Sequence, residues 1–69
     1  MWIKNVDDTG AVNGDLIEHF IIESKGSNYK LLASLNQTIT IIFEADSWEE
    51  VHKEMNYLIN LLNKERSQP

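Results

Sequence analysis

From Ser47 onward, apolar residues recur at Trp48, Val51, Met55, Leu58, Ile59 and Leu62, a helical spacing that gathers them into one stripe. Ser47 followed by Glu50 has the form of a capping box, and Glu49 stands four residues before Lys53, the favourable order for a helix-surface pair. The pattern predicts a helix from Ser47 to Glu65. Upstream the apolar residues fall into short runs divided by turn formers: Met1 to Val6, Ala11 to Asn13, Leu16 to Ser24, Tyr29 to Leu35 and Ile39 to Ala45. Asp7-Asp8-Thr9-Gly10 predicts a turn in which the Asp side chains bond nearby backbone and Gly10 tolerates a positive φ, while Lys25 to Asn28 and Asn36 to Thr38 predict loops. The expected class is α+β: an antiparallel β-meander of three to five strands packed on one face by a single C-terminal helix. Residues 1–66 are expected to form one domain and residues 67–69 a disordered tail.

Side-chain parity then proposes a register. A four-residue loop from Lys25 to Asn28 sets Ile22 opposite Leu31 and Phe20 opposite Ala33. A three-residue loop from Asn36 to Thr38 sets Leu35 opposite Ile39, Ala33 opposite Ile41 and Leu31 opposite Phe43. One face thus collects Phe20, Ile22, Tyr29, Leu31, Ala33, Leu35, Ile39, Ile41 and Phe43 for the helix to cover. A two-residue turn at Asn36-Gln37 would turn Thr38, Thr40 and Glu44 inward, and burial argues against it. The opposite face then carries a charged row of Glu23, Lys30 and Glu44 and an apolar row of Ile21, Leu32 and Ile42. His19, Ser34 and Thr40 lie beyond, with Ile17 at the edge. A protein with one helix has nothing obvious to cover Ile21, Leu32 and Ile42, and uncovered apolar area of this kind marks a contact site. The alternative is that the N-terminal strands fold over it. Tyr57 and Leu61, four apart on the outer side of the helix, hint at a second contact surface.

A chain of 69 residues has a small core, and scaffolds of this size draw on disulfides, metals or oligomerisation. With no cysteine, disulfides are absent and a structural zinc site is disfavoured, which leaves self-association or docking onto a protein partner. Eleven acidic against six basic residues give a formal charge of −5, and the scattered Lys and Arg argue against direct nucleic-acid binding. No stretch approaches the roughly 20 apolar residues of a membrane span, and the first residues lack signal-peptide character. A cytoplasmic protein is the expectation.

Chemistry is sparse. His19 and His52 lie far apart, and neither has a metal-ligand partner at a recognisable spacing. Asn5-x-Asp7-x-Thr9-Gly10 echoes a calcium loop, but Leu16 stands where a bidentate Glu is needed, so a solvated turn is expected. No nucleophile elbow or phosphate-binding glycine loop is present. Asn36-Gln37-Thr38 matches a glycosylation acceptor and is read as a hairpin loop. The expectation is no enzyme, no catalytic residue, no metal and no cofactor.

Met1-Trp2-Ile3-Lys4-Asn5, the acidic turn, Val12-Asn13, Ile41-Ile42-Phe43 and Ser47-Trp48-Glu49-Glu50 together resemble a family of proteins. These are the small uncharacterised proteins of Gram-positive bacteria and their prophages, built as a β-meander followed by a C-terminal helix. The resemblance implies a host or phage accessory protein and supplies no catalytic residues. The reading is therefore a non-catalytic interaction module, self-associating or docking a protein partner, with Ile21, Leu32, Ile42, Tyr57 and Leu61 as contact residues. The alternative is an acidic inhibitor or DNA mimic, which clustering of Asp7, Asp8, Asp15 and Glu18 on one surface would favour.

Overall fold

The computed structural model describes residues 1–66 and is α+β; the expected tail at 67–69 lies outside the described residues. Strands β1 (Trp2–Lys4), β2 (Ala11–Asn13), β3 (His19–Lys25), β4 (Asn28–Leu35) and β5 (Thr38–Ala45) precede helix α1 (Trp48–Arg66). β1 and β2 form a two-stranded antiparallel sheet, and β3-β4-β5 form a three-stranded meander.

The β1–β2 turn is held by its own side chains. Asn5 Oδ1 accepts from Gly10 N at 3.0 Å, and Asp7 Oδ1 accepts from Thr9 Oγ1 at 2.7 Å and Thr9 N at 3.3 Å. The positive φ that Gly10 would tolerate falls instead on Asp8, at 64°. An Asp tolerates this region through local hydrogen bonding, and here Asp8 N donates to Asn5 O at 3.1 Å. The strand expected from Leu16 begins only at His19. Gly14–Leu16 forms a single 3-10 turn, because Asn13 Oδ1 accepts from Asp15 N at 3.0 Å and ends β2.

The β3–β4 register is the expected one, from His19↔Ser34 to Lys25↔Asn28. Pairing runs up to Gly26-Ser27 with Gly26 at φ 62°, the place a type II′ turn assigns to glycine. The loop is thus two residues rather than four, with no change of phase.

The β4–β5 hairpin departs from expectation in an informative way. Its turn is the two-residue Asn36-Gln37, with φ of 48° and 64°, so Leu35 faces Thr38, Ala33 faces Thr40 and Leu32 faces Ile41. Burial argued against this turn on the assumption of an unbroken ladder. A β-bulge between Leu31 and Leu32 breaks it: Leu31 pairs with Phe43, and Ile42 is the extra residue on β5. The bulge resets the phase, so Phe43 still meets Leu31 and Glu44 still meets Lys30. The cost of the tighter turn is confined to Thr38, which is exposed, and Thr40, which is half-buried. Gln37 carries its Cβ into the left-handed region, so Gln37→Gly is expected to raise the unfolding free energy by about 0.5–1 kcal/mol. A higher urea midpoint is the check, and an unchanged or lower one contradicts the turn assignment.

Helix α1 opens where the cap places it: Ser47 Oγ accepts from Glu50 N at 3.4 Å. Val51, Leu58 and Leu62 are buried and Met55 packs on the core, but Trp48 is 48% exposed. Its ring lies outside the core, stacked on His52 with centroids 4.5 Å apart. The core joins Ile3, Leu31, Ala33, Ile42, Val51 and Leu58 into one cluster, with Met1, Val12 and Ile17 packed against it. The N-terminal hairpin therefore contributes to the same core as the helix. Ile17, expected at the sheet edge, belongs to that core too.

Candidate functional site

Opposite residues of an antiparallel ladder share a face, and successive residues alternate, so the observed register fixes what lies on the side away from the core. One row is Glu23, Lys30 and Glu44, as expected, with Lys30 Nζ 3.8 Å from a Glu44 carboxylate oxygen. The next row is Ile21, Leu32 and Ile41, and the last is His19, Ser34 and Ile39. Of the expected apolar row, Ile21 and Leu32 are brought together. Ile42 is not: it is 8% exposed, buried in the core by the bulge, and Ile41 takes its place. The shortened turn also moves Ile39 from the expected core to the outer face and leaves it 58% exposed.

The outer face thus carries Ile21, Leu32, Ile41 and Ile39. Ile21 is 43% exposed, and Leu32 and Ile41 are half-buried. Val6, also exposed, donates its N–H to Ile41 O at 2.9 Å and lines a shallow notch with Ile39 and Ile41. Sequence reasoning missed Ile39, Ile41 and Val6. The signal available was Asn36 at the first position of a two-residue hairpin turn, weakened because Gln37 rather than Gly follows it.

Tyr57 and Leu61 lie elsewhere. Tyr57 is exposed and borders an open cleft of about 390 Å³ with Phe43, Glu50, Lys53 and Glu54. Leu61 is half-buried and takes no part in that cleft. The structure does not bring these two into the sheet face.

The polar groups have local explanations. Hydrogen bonds from Thr9, the hydroxyl first and the backbone N–H second, hold the Asp7 carboxyl below its usual range. Asp7 therefore favours folding at neutral pH, an effect lost as pH falls through its lowered value. The Met1 amine lies 3.0 Å from Glu65 Oε1, and that hydrogen bond holds it above its usual range. Its contribution is present below the ordinary amine value and is lost as pH rises through the raised one. Asp7 and Asp8 occupy the closed end of the β1–β2 hairpin, and Asp15 lies beyond its open end. Asp15 is therefore set apart from Asp7 and Asp8 by the length of the hairpin. Glu18 accepts from Asn36 N at 3.2 Å.

Among the described residues, no group of three or more His, Cys, Asp or Glu is placed to hold a metal ion. No described helix is long and apolar enough to cross a membrane. Comparisons with protein-family models, with curated proteins and with solved structures find no match to this chain.

Proposed function

We propose that the protein is a non-catalytic interaction module that self-associates, two copies meeting across the sheet face opposite the helix. The observation that carries this reading is the uncovered aliphatic set Ile21, Leu32, Ile41 and Ile39 on β3–β5. The helix packs on the other side of the sheet, and the N-terminal hairpin reaches this side only beside Ile39 and Ile41, through Val6. Three strands by seven residues cover roughly 300 Å² in projection, and the four aliphatic side chains are contiguous at its centre and at one end.

A second copy suits this face for two reasons. The chain has a small core and no disulfide, and pairing sheets about 10 Å apart adds a second apolar layer. The formal charge of −5 would oppose self-contact, but little of it lies here. The face holds Glu23 and Glu44 against Lys30 and Lys25, no net charge, and Lys30 is already paired with Glu44. The accessory role that the family resemblance implies is compatible with a module whose contact surface is its working part.

The test is Leu32→Asp. Leu32 is at the centre of the face on the middle strand, so a charge there would be buried in the pair at a cost of about 3 kcal/mol or more. Association should weaken at least about a hundredfold. Sedimentation is expected to show the associated mass falling by at least half while circular dichroism stays that of the folded protein. A wild-type chain that stays single at high concentration rejects self-association. A Leu32→Asp chain that unfolds as a monomer shows the row to be internal.

A further inference from the structure

The two edges of the three-stranded sheet differ. β5 is partly occupied, since Ile41 O accepts from Val6 N. Among the described residues, β3 has no strand paired on its outer side, and His19-Phe20-Ile21-Ile22-Glu23-Ser24-Lys25 contains no proline and no bulge. Edge strands are ordinarily blunted by proline, bulges or charged side chains; β3 has only the charges of Glu23 and Lys25, towards its turn end.

The turn fixes which groups are available. A two-residue turn closes on a hydrogen-bonded pair, here Lys25 and Asn28, so Lys25, Glu23, Ile21 and His19 exchange bonds with β4. Phe20, Ile22 and Ser24 alternate with them and direct N–H and C=O outward. The same count on β4–β5 directs Ile41 outward, where its carbonyl meets Val6, so the phase agrees with an observed bond.

We infer that β3 pairs antiparallel with β3 of a second copy about a two-fold axis at Ile21, making one continuous six-stranded sheet. In this register Phe20 exchanges both backbone bonds with the partner copy's Ile22, and Ile22 with its Phe20, an aromatic–aliphatic pair on the core side. Ile21 faces its own copy in the close, non-hydrogen-bonded position, extending the aliphatic row of Ile41, Leu32 and Ile21 without a break. His19 faces the copy's Glu23 on both sides of the axis, setting a donor against a carboxylate. An axis at Ile22 would oppose Ile21 to Glu23, Phe20 to Ser24 and His19 to Lys25. An axis at Phe20 would oppose Ile21 to His19 and Glu23 to Ile17. Across the five central residues His19 to Glu23, only the Ile21 axis sets apolar against apolar and the His19 donor against a carboxylate; the mismatches of Ser24 with Glu18 and Lys25 with Ile17 fall at the ends, outside the paired segment. This edge contact is separate from the face contact proposed above and does not depend on it.

The experiment is a charge exchange read by sedimentation, with amide hydrogen exchange on the wild type. Glu23→Lys sets an amine against His19 twice, and His19→Glu sets a carboxylate against Glu23 twice. Each variant alone is expected to weaken the edge contact about tenfold or more. An equimolar mixture of the two restores it, because the carboxylate introduced in one chain then faces the amine introduced in the other. The amides of Phe20 and Ile22 should slow only in the associated protein. Variants that associate like the wild type, a mixture no tighter than its components, or Phe20 and Ile22 amides unprotected in the associated state would each overturn the edge pairing. Leu32→Asp leaves the Phe20 and Ile22 protection in place if only the face contact is lost, so the failure of either contact is seen separately.

Discussion

Leu31→Ala is expected to lower the unfolding free energy by about 3 kcal/mol, within the usual range for a leucine truncated in a rigid core. Leu31 is fully buried, at 0% exposure, in the middle strand, and shares its cluster with Val51 and Leu58 of the helix and Ile3 of the N-terminal hairpin. Three separate elements close around it, so the vacated space cannot collapse without moving one of them. At a urea dependence of about 1 kcal/mol per molar for a chain this small, the midpoint should fall by about 3 M. A domain of this size rarely holds more than about 3–5 kcal/mol in all, so the variant is expected to be largely unfolded at 37 °C. The neighbouring Leu32→Ala is the control: in the monomer it should shift the midpoint by less than about 1 M, because Leu32 faces the other way. Equal losses at Leu31 and Leu32 would contradict the assignment of the two faces.

Gly14→Val should cost a further large amount, about 2–3 kcal/mol. A Cβ at Gly14 would lie 2.7 Å from Leu62 Cδ2 and 3.0 Å from the Met1 carbonyl oxygen. The second atom is backbone, fixed by the 2.7 Å bond from Gly14 N to Met1 O, so it cannot swing aside. Gly14 is where the N-terminal hairpin meets the far end of the helix, and widening that seam loosens both. Gly10→Ala is the contrast, since its Cβ would meet only Asn5 Nδ2 at an ordinary 3.7 Å. Thermal unfolding should show Gly14→Val melting well below the parent and Gly10→Ala close to it. Matching midpoints would contradict the packing of hairpin on helix.

The class of the fold was legible because its two periods are clean. Val51, Met55, Leu58 and Leu62 repeat every three or four residues, and Ser47 with Glu50 marks the start. The β3–β4 register followed from Phe20, Ile22, Leu31 and Ala33, which alternate without interruption. The β4–β5 register did not, because a parity argument carries only along an unbroken ladder. Ile41-Ile42-Phe43 offers three apolar residues in a row, which satisfies a bulge as readily as a straight strand. The polar positions of the outer face and half of its aliphatic set were therefore foreseen: Ile21 and Leu32 stand where parity put them, while Ile42 went to the core and Ile39 and Ile41 came out. Trp48 misled for another reason: at the first turn of a helix, helical phase alone does not show whether the opposing surface extends that far. It finds His52 four residues on instead.

A second copy of the chain covering the Ile21, Leu32, Ile41 and Ile39 face would bring the methyl groups of the two copies into contact. The most direct measurement mixes isotope-labelled and unlabelled protein and records only contacts between the two. Cross-peaks between the labelled Leu32 and Ile41 methyl groups and unlabelled aliphatic protons, fading on dilution, are the expected result. Their absence at millimolar concentration, with sedimentation giving the mass of one chain, would contradict it.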